Sequence, residues 1–380
     1  MSRVGILGGG QLCVMLAESL MRLDATVTVL EPDPDSPARR RLPDVMVAGT
    51  DDATALAALC ARTDVVTYEF ENIAVPPLVP FAAAHRFWPS LHVLETSQDR
   101  AVEKAFLQSN GFPVAEHVVV RPGEDVFAAA AGFGFPAILK TARGGYDGKG
   151  QYRLRNSDDA AAIQALPQPS HGWVLERVVD IATELSCIVA RAADGQTIAF
   201  PVLENLHRDH VLDFTVLPAR VPTTVADAAR ETALAIADKL GVVGLLTVEF
   251  FVSQDGILRV NELAPRPHNS GHITRQACSI SQFDALARVL VGAPLVEPRL
   301  LGPGGFCMAN LLGDVWLAQG RSSLDLSAWA QHPHVIDVYL YGKREARPKR
   351  KMGHLCAWGT DSDAALAAAT AFRDALGART

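Results

Sequence analysis

The sequence is poor in the features that mark secreted, membrane-spanning or nucleic-acid-coating proteins. Its six cysteines, Cys13, Cys60, Cys187, Cys278, Cys307 and Cys356, are scattered and form no C-x-x-C pair. That spacing argues against a disulfide framework or a thiolate zinc site and points to a reducing compartment. No continuous apolar run is long enough for a bilayer, and the apolar start VGILGGG lacks the basic stretch of a signal peptide. A soluble, cytoplasmic protein is expected. Positive charge is in deficit: 35 Lys and Arg against 42 Asp and Glu leave a net −7, the wrong balance for coating nucleic acid or an anionic membrane. Internal repeats are missing, and the alanine runs at 128–131 and 364–369 read as helical. What is there is 380 residues, 49% hydrophobic and 20% charged. This is a globular composition on a chain too long for one core, so two or three domains are expected.

RVGILGGG reads as a buried strand running into glycines, LCVMLAESLMRL as a helix, ATVTVLEPDPD as a second strand, and DVVTYEFEN as a later strand ending in carboxylates. Strand, helix and strand at this spacing predict a parallel, doubly wound sheet over residues 1–96. A middle region, 97–293, opens with TSQDRAVEKAFLQSNG, where Thr96 or Ser97 is placed as the helix cap and Gly111 as its stop. Strands are expected in FPAILK, WVLERVV and TELSCIVAR. A helix, DAARETALAIADKLG, then precedes a hairpin, LLTVEFFVSQDGILRVNELAP. A third region, 294–380, ends in the helix DAALAAATAFRDALG.

The hairpin carries the most informative geometry. Asp255-Gly256 is a two-residue turn signal. A turn there sets Glu249 opposite Glu262 on one sheet face, Cβ atoms ~5 Å apart. Facing carboxylates repel unless a proton or cation lies between them. A hard divalent ion suits two carboxylates, with Asn261 as a neutral oxygen neighbour, and such an ion usually holds substrate phosphates too. The alternative is an exposed face with two solvated glutamates, which the apolar flanks Val248, Phe250, Phe251, Val260 and Leu263 disfavour.

Two glycine-rich stretches could cradle phosphate. In KTARGGYDGKGQ the glycines let backbone N–H groups turn inward while Lys149, and Lys140 at the preceding strand end, supply charge; a plain surface loop is the alternative. It is not a Walker A loop. The N-terminal GILGGGQLCVM nearly makes a dinucleotide fingerprint, with Glu31 about twenty residues on where a ribose-binding acid would sit. Cys13 replaces the third glycine and weakens that reading. In WVLERVVDIATELS, backbone groups of Glu176, Arg177, Val178 and Val179 could meet an adenine edge, and Glu184 could accept from two ribose hydroxyls. In APRPHNSGH, the Arg266 fork suits a planar oxyanion such as bicarbonate, and His268 could donate a hydrogen bond or move a proton, with Asn269 beside it. YGKREARPKRKMGH concentrates Lys343, Arg344, Arg347, Lys349, Arg350 and Lys351 in an otherwise acidic chain, an anion site or a solvated strand face.

Taken in order, GGGQL, YEFEN, SQDR, GGYDGKGQ, ENLHRDH, NELAPRPHNSGH, SISQF and YGKREARPKRKMGH resemble the ATP-grasp superfamily. Within it they are similar to the N5-carboxyaminoimidazole ribonucleotide synthetases, the ATPase subunits of phosphoribosylaminoimidazole carboxylase. The resemblance spans nearly the whole chain. It implies a mixed α/β and α+β, ATP-grasp fold: a Rossmann-like preATP-grasp domain (1–96), an ATP-grasp domain (97–293) with a lid at about 112–180, and a small C-terminal domain (294–380). It implies ATP and Mg²⁺, with Mn²⁺ able to substitute. Arg100, Lys140 and the loop Gly145, Tyr146, Asp147, Gly148, Lys149, Gly150 and Gln151 would hold the phosphates. Glu176 to Val179 would hold adenine and Glu184 the ribose, with His207, Asn261 and Glu262 also at the nucleotide. Glu249 and Glu262 would carry the metal. Glu71, Tyr146, Asp147, Lys149, Lys343 and Arg350 would hold aminoimidazole ribonucleotide. Arg266, His268, Asn269 and Lys149 would act on bicarbonate and the activated carboxylate. The chain departs from the family pattern at Cys13 and Val14, where glycine and arginine are usual, and at Lys349, where glycine is usual.

The activity so implied is ATP-dependent carboxylation of 5-aminoimidazole ribonucleotide by bicarbonate, through carboxyphosphate, in purine (IMP) biosynthesis. A homodimer and hand-off of product to a mutase go with it. The alternatives are another ATP-grasp carboxylate–amine ligase, an NAD-dependent oxidoreductase built on the N-terminal glycines, and a non-catalytic nucleotide sensor.

Overall fold

The computed structural model describes residues 1–145, 148–320 and 322–377. Among these, the strands make three sheets. The first holds β1 (Arg3–Leu7), β2 (Thr26–Leu30), β3 (Val45–Met46), β4 (Val65–Tyr68) and β5 (Arg86–Phe87) in the order β3-β2-β1-β4-β5, all pairs parallel. This is the expected doubly wound sheet. Strand β1 is central and buried on both faces, which is why its sequence is a continuous apolar run and not an alternating one. The helix Gln11–Met21 covers the sheet with Leu12, Val14, Met15, Leu16 and Leu20 buried.

The second sheet is antiparallel: β6 (His117–Val120), β7 (Ala137–Thr141), β8 (Gln151–Leu154) and β9 (Trp173–Arg177), ordered β6-β9-β7-β8. The glycine loop joins β7 to β8. The third sheet is the largest. It contains β10 (Ile181–Arg191), β11 (Thr197–Ala199), β12 (Leu203–Arg208), β13 (Val211–Leu217), β14 (Gly244–Ser253) and β15 (Leu258–Ala264). Beyond residue 294 come β16 (Gly305–Leu312), β17 (Val335–Leu340) and β18 (Lys351–Gly359). These do not make a separate sheet but continue the third one, in the order β15-β14-β10-β12-β13-β16-β18-β17, with β11 beside β10. Strand β16 thereby pairs an edge of β13 that would otherwise expose unpaired backbone groups.

Two helices close this sheet by helical spacing of small and apolar residues. Helix Thr223–Lys239 buries Ala229, Ala233, Ile236 and Ala237 against β10 and β14. Helix Ser362–Gly377 buries Ala365, Ala369, Phe372 and Leu376 against β16 and β18. Alanines allow such close approach.

Two local expectations are corrected. Thr96 and Ser97 cap nothing. They lie inside a helix, Leu91–Gln98, and their hydroxyls donate to His92 O and Val93 O at 2.9 Å. The cap of the next helix, Arg100–Ser109, is Asp99, whose carboxylate accepts from Ala101 N–H at 3.0 Å. A charged acceptor satisfies the first-turn amides better than either hydroxyl. The hairpin turn is three residues long. Ser253 N–H donates to Ile257 O (3.1 Å) and Gly256 N–H to Ser253 O (2.8 Å), with Gly256 at φ +79°. That turn pairs Phe250 with Val260. A bulge at Asn261 then inserts one residue in β15 and brings Glu249 opposite Glu262.

Candidate active site

The bulge sets the centre of the site. Glu249 Oε1 stands 2.7 Å from His268 Nε2. Glu262 Oε2 stands 3.5 Å from Arg100 Nη2, and its side chain, 41% exposed, opens into the cleft although protein surrounds its base. Burial raises both carboxyls. For Glu249 the neighbouring His268, with His207 and Arg266, reverses the effect and brings it down to about 2. For Glu262 burial and the charge of Glu249 prevail over Arg100, so it is raised. Two carboxylates pushed apart in this way share one negative charge comfortably and resist a second. They fit a hard divalent cation, which would let both ionise. Among the described residues no group of three or more His, Cys, Asp or Glu could hold a metal, so an ion here would draw further oxygens from a bound substrate.

Arg100 also reaches the glycine loop, donating to Thr141 O at 3.3 Å and Gly145 O at 3.4 Å. One guanidinium thus ties the loop to the carboxylate pair. Of the loop, Gly145, Gly148, Lys149, Gly150 and Gln151 are described, while Tyr146 and Asp147 lie outside the described residues. Gly148 has φ +78° and packs so closely on His210 that a Cβ would come within 2.6 Å of the His210 Cβ. Lys140, on β7, donates to Glu176 Oε2 at 3.0 Å.

Glu176 has a second cation that sequence reasoning missed. Lys104 Nζ lies 3.2 Å from Glu176 Oε1, and its side chain is 1% exposed. Burial would raise the Glu176 carboxyl, but Lys140 and Lys104 take it down to about 2. Two lysines on one carboxylate leave a positive charge over. The available signal was the four-residue spacing of Arg100 and Lys104, which puts both on one helix face. Glu103, also missed, is buried beside them. Its Oε2 accepts from Leu263 N–H at 2.7 Å, and burial raises its carboxyl to about 8 despite Lys104.

Arg266 and Glu71 form an ion pair through Arg266 Nε. Burial opposes the Glu71 charge, but Arg266 outweighs it and the carboxyl is lowered. The structure therefore joins a residue expected at the ribonucleotide to one expected at bicarbonate. Asn269 follows, with both amide atoms buried and no hydrogen-bond partner among the described residues. A buried amide left unpaired is costly and marks a place for a ligand.

Two clefts flank the chain where β9 passes into β10. One, of about 420 Å³, is lined by Arg177, Val178, Val179, Gln254 and Asp255. The other, of about 740 Å³, is lined by Glu184, His207, Asn205 and Thr183. His207 Nδ1 is 3.1 Å from Glu184 Oε2. Burial would lower the imidazole, but Glu184 raises it. The basic segment is less uniform than its sequence suggested. Arg344 pairs with Asp35 (3.3 Å) and Arg347 with Glu345 (2.6 Å). Arg350 donates to Glu345 O at 2.8 Å. Lys343 is held by Lys351 O at 2.8 Å and lies within the field of Glu69.

The N-terminal glycine turn is already filled. Glu69 accepts from Gly10 N–H and, at 2.8 Å, from Cys13 N–H, while Glu31 Oε2 accepts from Gly9 N–H at 2.5 Å. The helix N-terminus that would bind a dinucleotide pyrophosphate holds the protein's own carboxylate, and Glu31 is committed to the turn. The oxidoreductase reading loses its site.

Residues 1–98 match the ribonucleotide synthetase preATP-grasp domain, 105–283 the ATP-grasp domain, and 307–368 the phosphoribosylaminoimidazole carboxylase C-terminal domain. The chain is 39% identical over 357 residues to the N5-carboxyaminoimidazole ribonucleotide synthase of Bacillus subtilis (strain 168), covering 93% of this chain and 90% of that one. The Staphylococcus aureus N5-carboxyaminoimidazole synthetase in complex with ADP superposes with a TM-score of 0.88 at 35% identity, covering 98% and 97% of the two chains. The Aspergillus clavatus enzyme, in complex with ADP and 5-aminoimidazole ribonucleotide, gives 0.88 at 28% identity and 99% coverage of both.

Proposed function

Because the chain belongs to the N5-carboxyaminoimidazole ribonucleotide synthase family, we propose that it carboxylates 5-aminoimidazole ribonucleotide with bicarbonate at the expense of ATP, in purine biosynthesis. The observation that carries the site assignment is the facing pair Glu249 and Glu262, linked through Arg100 to the glycine loop. Glu249, Glu262 and Asn261 would hold Mg²⁺, which when bound neutralises phosphate charge. Lys140, Lys149 and Arg100 position the triphosphate, and the backbone from Glu176 to Val179 with Glu184 and His207 positions the nucleoside.

A bicarbonate oxygen attacks the γ-phosphorus, the bond to the bridging oxygen breaks, and ADP leaves. The resulting carboxyphosphate meets the exocyclic amine. The new N–C bond forms as the C–O bond to phosphate breaks, and the proton lost by the amine passes to the departing phosphate. The Arg266 fork, oriented by Glu71, binds the planar oxyanion. The unpaired Asn269 amide supplies hydrogen bonds to the carboxyl group as it changes shape, and His268 holds Glu249 beside it. Lys343 holds the ribonucleotide, with Arg350 in a supporting place. Positioning and fixed charge do most of this work. Carboxyphosphate decomposes in water, so the loop after β7 must shut the site.

We place the enzyme in the cytoplasm on its unpaired thiols, as a homodimer that passes product to a mutase. The deciding measurement is ADP release with bicarbonate and aminoimidazole ribonucleotide supplied together or singly. Full turnover that needs both supports the assignment. Equal turnover with an amino acid or formate in place of bicarbonate would move the chain to another ATP-grasp ligase.

A further inference from the structure

Behind His268 lies a line of buried polar groups that the chemistry above does not use. His268 Nδ1 is 2.8 Å from Ser270 Oγ, Ser270 Oγ is 2.9 Å from Ser186 Oγ, Asn205 Nδ2 is 2.9 Å from Ser186 Oγ, and Thr215 Oγ1 is 3.1 Å from Asn205 Oδ1. Ser270, Ser186 and Thr215 are fully buried and Asn205 is 3% exposed. The pairing explains how they meet. Ser186 on β10 stands opposite Glu249 on β14, and Asn205 on β12 opposite Thr215 on β13. Cross-strand partners share a face, so a polar stripe runs over the sheet under the segment Pro267–Ile273. An apolar stripe would pack as well at lower desolvation cost.

The direction of the chain can be fixed. Ser270 N–H also points at His268 Nδ1, at 3.3 Å. A backbone amide can only donate, so Nδ1 accepts and carries no proton. The Ser270 hydroxyl then donates to Nδ1 and accepts from Ser186. Ser186 in turn accepts from the Asn205 amide, whose oxygen accepts from Thr215. The side chains of Asn205, Ser186 and Ser270 each give one hydrogen bond forward and take one from behind, and Thr215 begins the line. The ring proton is left on Nε2, which faces Glu249 Oε1 at 2.7 Å.

We propose that Ser270, Ser186, Asn205 and Thr215 are positioning residues that hold His268 in its Nε2–H tautomer, aimed at Glu249 of the reacting centre. This rests on the assignment of His268 to the reacting centre. Polar outer partners of this kind fix ring orientation and tautomer where a free imidazole would exchange between two.

The test uses the full-length enzyme labelled with ¹⁵N-histidine, read by long-range ¹H–¹⁵N correlation at one fixed pH, with His268 assigned by the peak lost in His268→Gln. Wild type should show the Nε2–H pattern. Ser270→Ala should show mixed tautomers and a kcat lower by about tenfold, the scale of one hydrogen bond, with both substrate KM values changed less than about twofold. Ser186→Ala should fall between the two. If Ser270→Ala does not fold, Asn205→Asp, of the same shape but with the amide donor removed, should disturb the His268 spectrum in the same way. A wild-type tautomer pattern with wild-type kcat in the folded variant would overturn the proposal. If instead His268→Gln is fully active, His268 is not at the reacting centre, whatever its tautomer.

Discussion

Glu249 and Glu262 face each other across neighbouring antiparallel strands, yet each leans on a different base, His268 for the first and Arg100 for the second. The bases come from distant segments, so the pair is where the middle domain's hairpin, its first helix and the loop after β15 converge. Replacing Glu262 by Gln keeps the shape and removes the charge. Turnover should drop on the order of a hundredfold, as for loss of one electrostatic contact to a reacting group, while the thermal melt stays in place. A rate near wild type at saturating Mg²⁺ would remove the metal assignment.

Glu176 lies between two lysines, one of them fully buried. In Glu176→Gln, Lys104 would keep its charge with only the burial-raised Glu103 carboxyl nearby. Breaking a buried pair from one side costs roughly 3–5 kcal/mol, so urea unfolding should show a loss of that order, reduced if water reaches Lys140. Lys104→Met should raise the ATP KM and leave the ribonucleotide KM unchanged.

Lys343→Ala should raise the ribonucleotide KM by about tenfold, the scale of a charge-assisted hydrogen bond, and the ATP KM much less. Initial-rate kinetics with each substrate varied in turn decide it. Equal effects would make the segment around Lys343 structural.

Lys349 has φ +61°, a left-handed conformation that suits glycine, and its N–H donates to Asp314 Oδ2 at 2.8 Å. This is the position where the family pattern has glycine. Lys349→Gly should stabilise the fold by about 1 kcal/mol by relieving that backbone strain, read as a shift in denaturation midpoint with unchanged slope.

His272 and His354 are buried with ring centroids 4.8 Å apart. Burial holds His272 well below its ordinary value and His354 at about 3. Both stay neutral in the fold but take up a proton near pH 6.5 when unfolded. Their contribution to stability is therefore complete above about pH 6.5 and is lost as the pH falls below it, for His354 down to about 3, by up to about 1.4 kcal/mol per pH unit for each ring. Neither ring nitrogen of His272 has a hydrogen-bond partner among the described residues. His272→Leu should flatten the loss of unfolding free energy between pH 6.5 and 5.

What the sequence determined by itself was whatever local period or local chemistry specifies: the buried parallel strands from continuous apolar runs, the helices from apolar spacing, and the motifs whose order marked the family. It also specified that Glu249 meets Glu262, although through the wrong turn. A three-residue loop and a bulge at Asn261 lead to the same pairing as a two-residue turn, and period-two alternation cannot tell these apart. Only the tertiary structure decided which charges meet. Lys104 with Glu176, Arg266 with Glu71, Glu69 on the N-terminal amides and the polar line behind His268 each join segments far apart in the chain. Such pairings follow from how strands are ordered in a sheet and how its faces are covered. No local window of sequence contains that order.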